Sequence, residues 1–100
     1  MHKLLVLYPQ PTDPEAFRSY YENTHLPLAA QLPGMLDWRY SLSVRSAPEE
    51  NYFAVFEADF PDAETLAAAL SSPEGEAVQA DVPNYATGGA IVLDYPVASS

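Results

Sequence analysis

The stretch Tyr20-Tyr21-Glu22-Asn23-Thr24-His25-Leu26-Pro27-Leu28-Ala29-Ala30-Gln31-Leu32-Pro33-Gly34-Met35 decides how this chain is read. It carries His25, the only histidine away from the N-terminus, two residues before a proline and inside a helical pattern. Pro27 has no N–H to offer the carbonyl of Asn23, and its ring disfavours α geometry at Leu26. The helix is therefore expected to kink or break beside His25, freeing the imidazole to leave the side-chain stack and point into a cavity. Phe17, Tyr21, Thr24 and Leu28 recur at helical spacing and define a buried face, and His25 lies one turn after Tyr21. Upstream, Asp13 reads as the N-cap, Pro14 as the first helical residue and Glu15 as a first-turn acid favoured by the helix dipole. Leu32-Pro33-Gly34 ends the helix.

Working outward, Lys3 to Tyr8 is a short apolar run closed by Pro9 and a Pro11-Thr12-Asp13-Pro14 turn, which predicts the first strand. Trp38, Tyr40, Leu42 and Val44 alternate with polar residues from Asp37 to Arg45, a half-buried strand of period two. Residues 47–51 form a polar turn, and Tyr52 to Phe60 is a third strand. Its Glu57 and Asp59 share one face and are expected to meet Arg39 and Arg45 across the hairpin, a pairing worth only ~0.2–1 kcal/mol each. Asp62 caps a second helix whose apolar stripe is Ala63, Leu66, Ala67 and Leu70. Ser72-Pro73-Glu74 restarts helix to about Asp81, and Val82-Pro83 stops it. Gly88 or Gly89 then introduces a last strand, Ala90 to Tyr95, before a loose tail.

The order β-α-β-β-α-β is that of the ferredoxin-like split βαβ arrangement: an α+β fold with a four-stranded antiparallel sheet, one domain over residues 1–100. Helices in this order cover one face of the sheet. Yet the first and last strands are apolar at consecutive positions, the pattern of strands buried on both faces. Leaving those Leu, Val and Ile side chains wet forgoes roughly 1.5–3 kcal/mol each. A second copy is expected to cover them, giving a symmetric homodimer with sheets packed face to face.

Composition narrows the partners. Fourteen acids against four bases give a formal charge of −10, and Lys3, Arg18, Arg39 and Arg45 are too scattered to form a basic stripe. Nucleic acid and anionic membrane are excluded as expected partners. With no cysteine, disulfides, thiolate metal sites and cysteine nucleophiles do not arise. Met1-His2-Lys3 leads straight into Leu4-Leu5-Val6-Leu7, too short for a signal peptide, and no apolar run approaches the ~20 residues of a membrane span. A cytoplasmic protein is the expectation. Two histidines do not make a usual zinc constellation, the acids lack EF-hand spacing, and Gly34, Gly75 and Gly88-Gly89 form no phosphate or dinucleotide loop. No cofactor or metal is expected.

The segment containing Tyr21, Thr24, His25, Pro27, Leu28 and Ala29, followed by Leu32-Pro33-Gly34, resembles the helix-one signature of the EthD family, named after a component of an ethyl tert-butyl ether degradation system. Ser72-Pro73-Glu74-Gly75, leading to Ala80-Asp81-Val82-Pro83-Asn84-Tyr85, is similar to that family's segment before the last strand. The resemblance spans essentially the whole chain and implies the dimeric α+β barrel. Relatives in that barrel group include cofactor-free monooxygenases, polyketide cyclases and lactone isomerases, along with members of no known activity, so the fold by itself does not assign a reaction.

His25 is the expected functional centre, beside Tyr20, Tyr21 and Trp38. A partly desolvated imidazole favours its neutral form and serves as a general acid or base near pH 7. The same residue also suits a plain structural role, capping a broken helix. Tyr85 or Tyr21 is expected to act with His25 as a hydrogen-bond donor, Tyr85 being the catalytic partner of His25. Asp81 and Asn84 would supply a carboxylate and an amide at the far rim, though short polar residues flanking Pro83 also make turns. Taken singly, each tyrosine is more often a core residue than a ligand contact, and Trp38 at a strand start is more often core or dimer contact. Two functions stay open: a cofactor-free enzyme using His25 on an aromatic, polyketide-like or enolisable small molecule, and a non-catalytic ligand-binding or accessory dimer assisting a separate oxidase.

Overall fold

Antiparallel pairing organises the computed structural model, which describes residues 1–46 and 51–98. Strand β1 (His2–Pro9) lies at the centre between β3 (Tyr52–Phe60) and β4 (Ile91–Pro96), and β2 (Asp37–Ser41) flanks β3, giving the sheet order β2-β3-β1-β4. Helix α1 (Pro14–Tyr20) runs through a π-helical turn, Tyr21–His25, into α2 (Leu26–Ala29), while α3 (Ala63–Ser71) and α4 (Pro73–Asp81) follow β3. The caps expected at Asp13 and Asp62 form, with side chains accepting from the N–H groups of Ala16 and Thr65, and Ser72 caps α4 through Gly75. The polar turn expected over residues 47–51 lies mostly outside the described residues, as do Ser99 and Ser100 of the tail. None of the described helices is long and apolar enough to cross a membrane.

The register assigns each side chain to a face. His2, Leu4, Val6 and Tyr8 stand opposite Phe60, Ala58, Phe56 and Ala54, and this set meets the helices to form the core with Phe17, Tyr21, Leu26, Leu32 and Leu66. Gly34 makes the turn after α2 with φ of +78°, a region only glycine adopts without strain, and a β-carbon there would collide with the Thr65 side chain.

The other face of the sheet carries Leu5, Leu7 and Val55 beside Ile91, Leu93 and Tyr95, with no element covering them among the described residues. Leu93 is 45% exposed and the molecule is a slab only 17 Å thick, as one helix layer on one sheet requires. Charges collect towards β2: Arg39 reaches Asp59 at 2.8 Å and Glu57 at 3.7 Å, and Lys3 lies 3.3 Å from both acids. Arg45 does not join them, because β2 ends at Ser41, and it makes no ion pair among the described residues. Strand β4 differs from the expectation of a strand buried on both sides: within one copy it is exposed along its length.

Candidate functional site

Pro27 does not break the helix. The π turn widens it by one residue, so the Leu26 N–H reaches the Tyr21 carbonyl five residues back, and Pro27 falls in the first turn of α2, where no N–H is needed. The wide turn carries His25 to the inner side of the helix, where it is 3% exposed. Its ring stacks on Tyr21 at 5.3 Å and lies 4.5 Å from the Tyr85 ring.

A single carboxylate organises the surroundings of this imidazole. Asp81, at the end of α4 and 8% exposed, has Oδ2 3.0 Å from His25 Nδ1. Its Oδ1 accepts from the Tyr20 hydroxyl at 2.6 Å and from Asn84 Nδ2 at 2.9 Å. Burial by itself would raise the Asp81 pKa, but the hydrogen bonds from Tyr20, Asn84 and His25 together outweigh it and hold the carboxyl below its ordinary value. An ionised carboxylate only accepts, so Nδ1 must carry the proton and Nε2 presents a lone pair. Burial lowers the His25 pKa, and the Asp81 carboxylate offsets this only in part. The resting pair is a neutral imidazole on an ionised carboxylate. Among the described residues Nε2 has no hydrogen-bond partner.

His25 lines a cavity of about 90 Å³ between sheet and helices. Leu4, Val6 and Phe56 contribute from the sheet, Val78 from α4 and Val82 from the turn that follows it. Apart from His25, only Tyr8 and Gln79 interrupt the apolar wall. Gln79 has committed both amide hydrogens, to the carbonyls of Leu70 and Gly75 at 2.9 Å each. The exposure of Gln79 and of Val92, at 59%, marks the side on which the cavity opens. A second concavity lies behind Asp81, where Thr12, Tyr20, Asn84 and Tyr85 line an outer groove. Asp81 thus stands between the two, bonded to His25 on one side and to Tyr20 and Asn84 on the other.

Above His25 three phenols meet. The hydroxyls of Tyr8 and Tyr85 are 2.7 Å apart, and the Tyr21 hydroxyl is buried without a hydrogen-bond partner. Burial raises the pKa of all three, so each keeps its proton at neutral pH.

Of the residues singled out from sequence, His25, Tyr20, Tyr21, Asp81, Asn84 and Tyr85 gather in one cluster, but only His25 lines the cavity. Tyr20, Asp81 and Asn84 stand behind the imidazole, at its back, and Tyr21 and Tyr85 pack on its flanks. Trp38 stands apart on β2, stacked at 5.8 Å on Phe56, because β2 is the sheet edge remote from β1 and β4. Tyr8 and Gln79 were missed. Tyr8 sits in an apolar run with no alternation to assign its face, and Gln79 in a helix with no clear apolar stripe. Among the described residues no group of three His, Asp or Glu side chains is placed to hold a metal ion.

A sequence model of the EthD domain matches residues 9–89. An uncharacterized 11.0 kDa protein from the thcB–thcC intergenic region of Rhodococcus erythropolis is 33% identical over 95 residues, covering 93% of this chain and 91% of its own length. The crystal structure of an EthD family protein from Bacillus halodurans superposes with a TM-score of 0.89 at 32% identity, covering 98% of this chain and 99% of that one. A dimeric ferredoxin-like protein of unknown function from Thermobifida fusca shares the fold at 14% identity, with a TM-score of 0.74 over 96% of this chain and 90% of that one.

Proposed function

From the premise that this chain belongs to the EthD family, we propose that it is a proton-transfer catalyst acting on a small enolisable or phenolic molecule held against His25. The observation that carries this reading is the His25–Asp81 pair, with Nδ1 bonded at 3.0 Å, Nε2 without a hydrogen-bond partner among the described residues, and the residue lining an apolar cavity. A base must be unprotonated, oriented and partly dry to remove a weakly acidic proton near pH 7, and burial together with Asp81 supplies all three conditions. Nε2 takes the proton, and the carboxylate 3.0 Å behind stabilises the imidazolium that results. Tyr20 and Asn84 hold the carboxylate in place and are positioning residues in this reading.

The cavity admits the reacting end of a ligand, whose remainder leaves by the side marked by Gln79 and Val92. The protein works as a homodimer joined through the open sheet face. Among the described residues no element covers Leu5, Leu7, Val55, Ile91, Leu93 and Tyr95 there, and the Thermobifida fusca neighbour with this fold is dimeric.

Hydrogen exchange separates catalysis from mere binding. In deuterated buffer the wild type is expected to accelerate deuterium incorporation at the methyl group of acetophenone, followed by NMR, and His25→Ala to return it to the buffer rate with secondary structure intact. An exchange rate in the wild type equal to that of buffer contradicts the catalytic reading. It would leave the second one, a dimer that holds a ligand without turning it over, which the nearly unbroken apolar wall also suits.

A further inference from the structure

We propose that Tyr8 is the residue that binds the ligand's oxygen, and that the ligand is a neutral carbonyl compound or phenol whose oxygen becomes negative only during proton transfer. The proposal rests on the reading of His25 as the base and adds the other half of the site. Among the described residues, Tyr8 is the one hydroxyl-bearing residue in the cavity wall that holds His25.

An inventory of protons supports it. Tyr8, Tyr21 and Tyr85 bring three hydroxyl protons into a cluster in which each residue is at most 5% exposed. Among them the one well-formed hydrogen bond runs between Tyr8 and Tyr85, the Tyr21 hydroxyl interacts only weakly with Tyr8, and no carboxylate or carbonyl accepts from any of the three among the described residues. When Tyr85 donates to Tyr8, the Tyr8 proton is free for a third oxygen. A buried donor with nothing to bond is a cost that folded proteins rarely keep, and a cluster rich in such donors is matched by a guest that brings acceptors. High phenol pKa values keep these groups as donors rather than competing anions.

Charge fixes the rest of the ligand. No lysine or arginine lines the cavity. Lys3 and Arg39 are paired on the opposite sheet face, Arg18 lies over Phe53, and Arg45 borders a separate surface groove. The chain carries a formal charge of −10. A ligand already bearing a carboxylate or phosphate finds no counter-charge here. A neutral one acquires both partners at the moment it needs them. Nε2 of His25 takes the proton. From a C–H bond beside a carbonyl, the C–H pair becomes the C=C bond of an enolate and the carbonyl π pair moves onto oxygen, while from a phenol O–H the pair stays on oxygen. In both cases that oxygen accepts from Tyr8. The imidazolium returns the proton to carbon or to oxygen, which closes the cycle without a co-reactant.

Paired fluorinated probes test the assignment by ¹⁹F NMR: 4-fluorophenol, which carries the oxygen, and fluorobenzene, which lacks it. The wild type is expected to bind 4-fluorophenol more tightly. Tyr8→Phe should weaken 4-fluorophenol about tenfold while changing fluorobenzene less than about twofold, the loss of one hydrogen bond and little else. Tyr85→Phe leaves Tyr8 in place and should weaken 4-fluorophenol alone, to a smaller extent. Equal losses for both probes would reduce Tyr8 to packing, and an unchanged 4-fluorophenol affinity would remove it from the site. Failure of the wild type to bind either probe overturns the ligand class. In each case acetophenone exchange in His25→Ala reports separately on the base, so the two readings fail independently.

Discussion

Asp81 Oδ2 stands 3.0 Å from His25 Nδ1 across 56 residues of sequence, and that contact ties the end of α4 to the π turn of the first helix. It converts a buried histidine into an oriented one. Without the carboxylate the ring has two equivalent tautomers, and nothing determines which nitrogen faces the cavity.

Removing the carboxylate should therefore cost more than one surface hydrogen bond. Asp81→Ala leaves the buried Nδ1–H of His25 without an acceptor and frees Tyr20 and Asn84. A destabilisation of about 2–3 kcal/mol is expected from urea denaturation midpoints, with the slope unchanged. A loss below about 0.5 kcal/mol would mean that the three donors find water as readily as they find Asp81.

Stability should also depend on pH through His25. Burial lowers its pKa from the ordinary 6.5, so between the two values the unfolded chain binds more protons than the folded one. This contribution is fully present above pH 6.5 and is lost as pH falls towards the folded value. Asp81, also lowered in the folded state, adds a loss in the same direction at more acid pH, below the ordinary 3.8. Urea midpoints from pH 7 to 5 should fall more steeply for the wild type than for His25→Gln. Parallel slopes would show that the imidazole is not desolvated.

The Tyr21 hydroxyl is the opposite case, a buried polar atom with no well-formed hydrogen bond among the described residues. Tyr21→Phe keeps the ring that stacks on His25 and should change stability by less than about 0.5 kcal/mol, or raise it slightly. Tyr8→Phe breaks the 2.7 Å contact with Tyr85 and should cost about 1 kcal/mol. Reversal of that order, by thermal or urea denaturation, would place the working hydrogen bond on Tyr21.

The open sheet face gives a prediction independent of the site. Leu93, 45% exposed beside Leu5, should lie within the dimer interface. Sedimentation of the wild type should give a dimer, and Leu93→Asp a folded monomer. A dimer that survives the charge would move the interface elsewhere.

Much of this was legible in the sequence because it is local. The caps at Asp13 and Asp62, the third strand from Tyr52 to Phe60 and the disturbance beside Pro27 each follow from a few adjacent residues. The disturbance took the form of a π turn because the wider turn keeps its own backbone bonds where a break would lose them. Strand β2 stops at Ser41 although alternation continues to Val44, whose N–H still bonds the Phe53 carbonyl at 3.2 Å. What the sequence hides is long-range. Tyr8 belongs to the helix-facing phase of β1 only because it pairs with Ala54, and β1 is apolar on both phases. That Tyr20 and Asp81 share a bond across 61 residues depends on the packing of the two helical layers, to which neither segment alone refers.

Histidine-selective ¹H–¹⁵N NMR, titrated through neutral pH, measures the state of His25 directly. A proton on Nδ1, an unprotonated Nε2 and a pKa below 6.5 are the expected result. A ring carrying its proton on Nε2, or titrating at or above 6.5, would contradict the account.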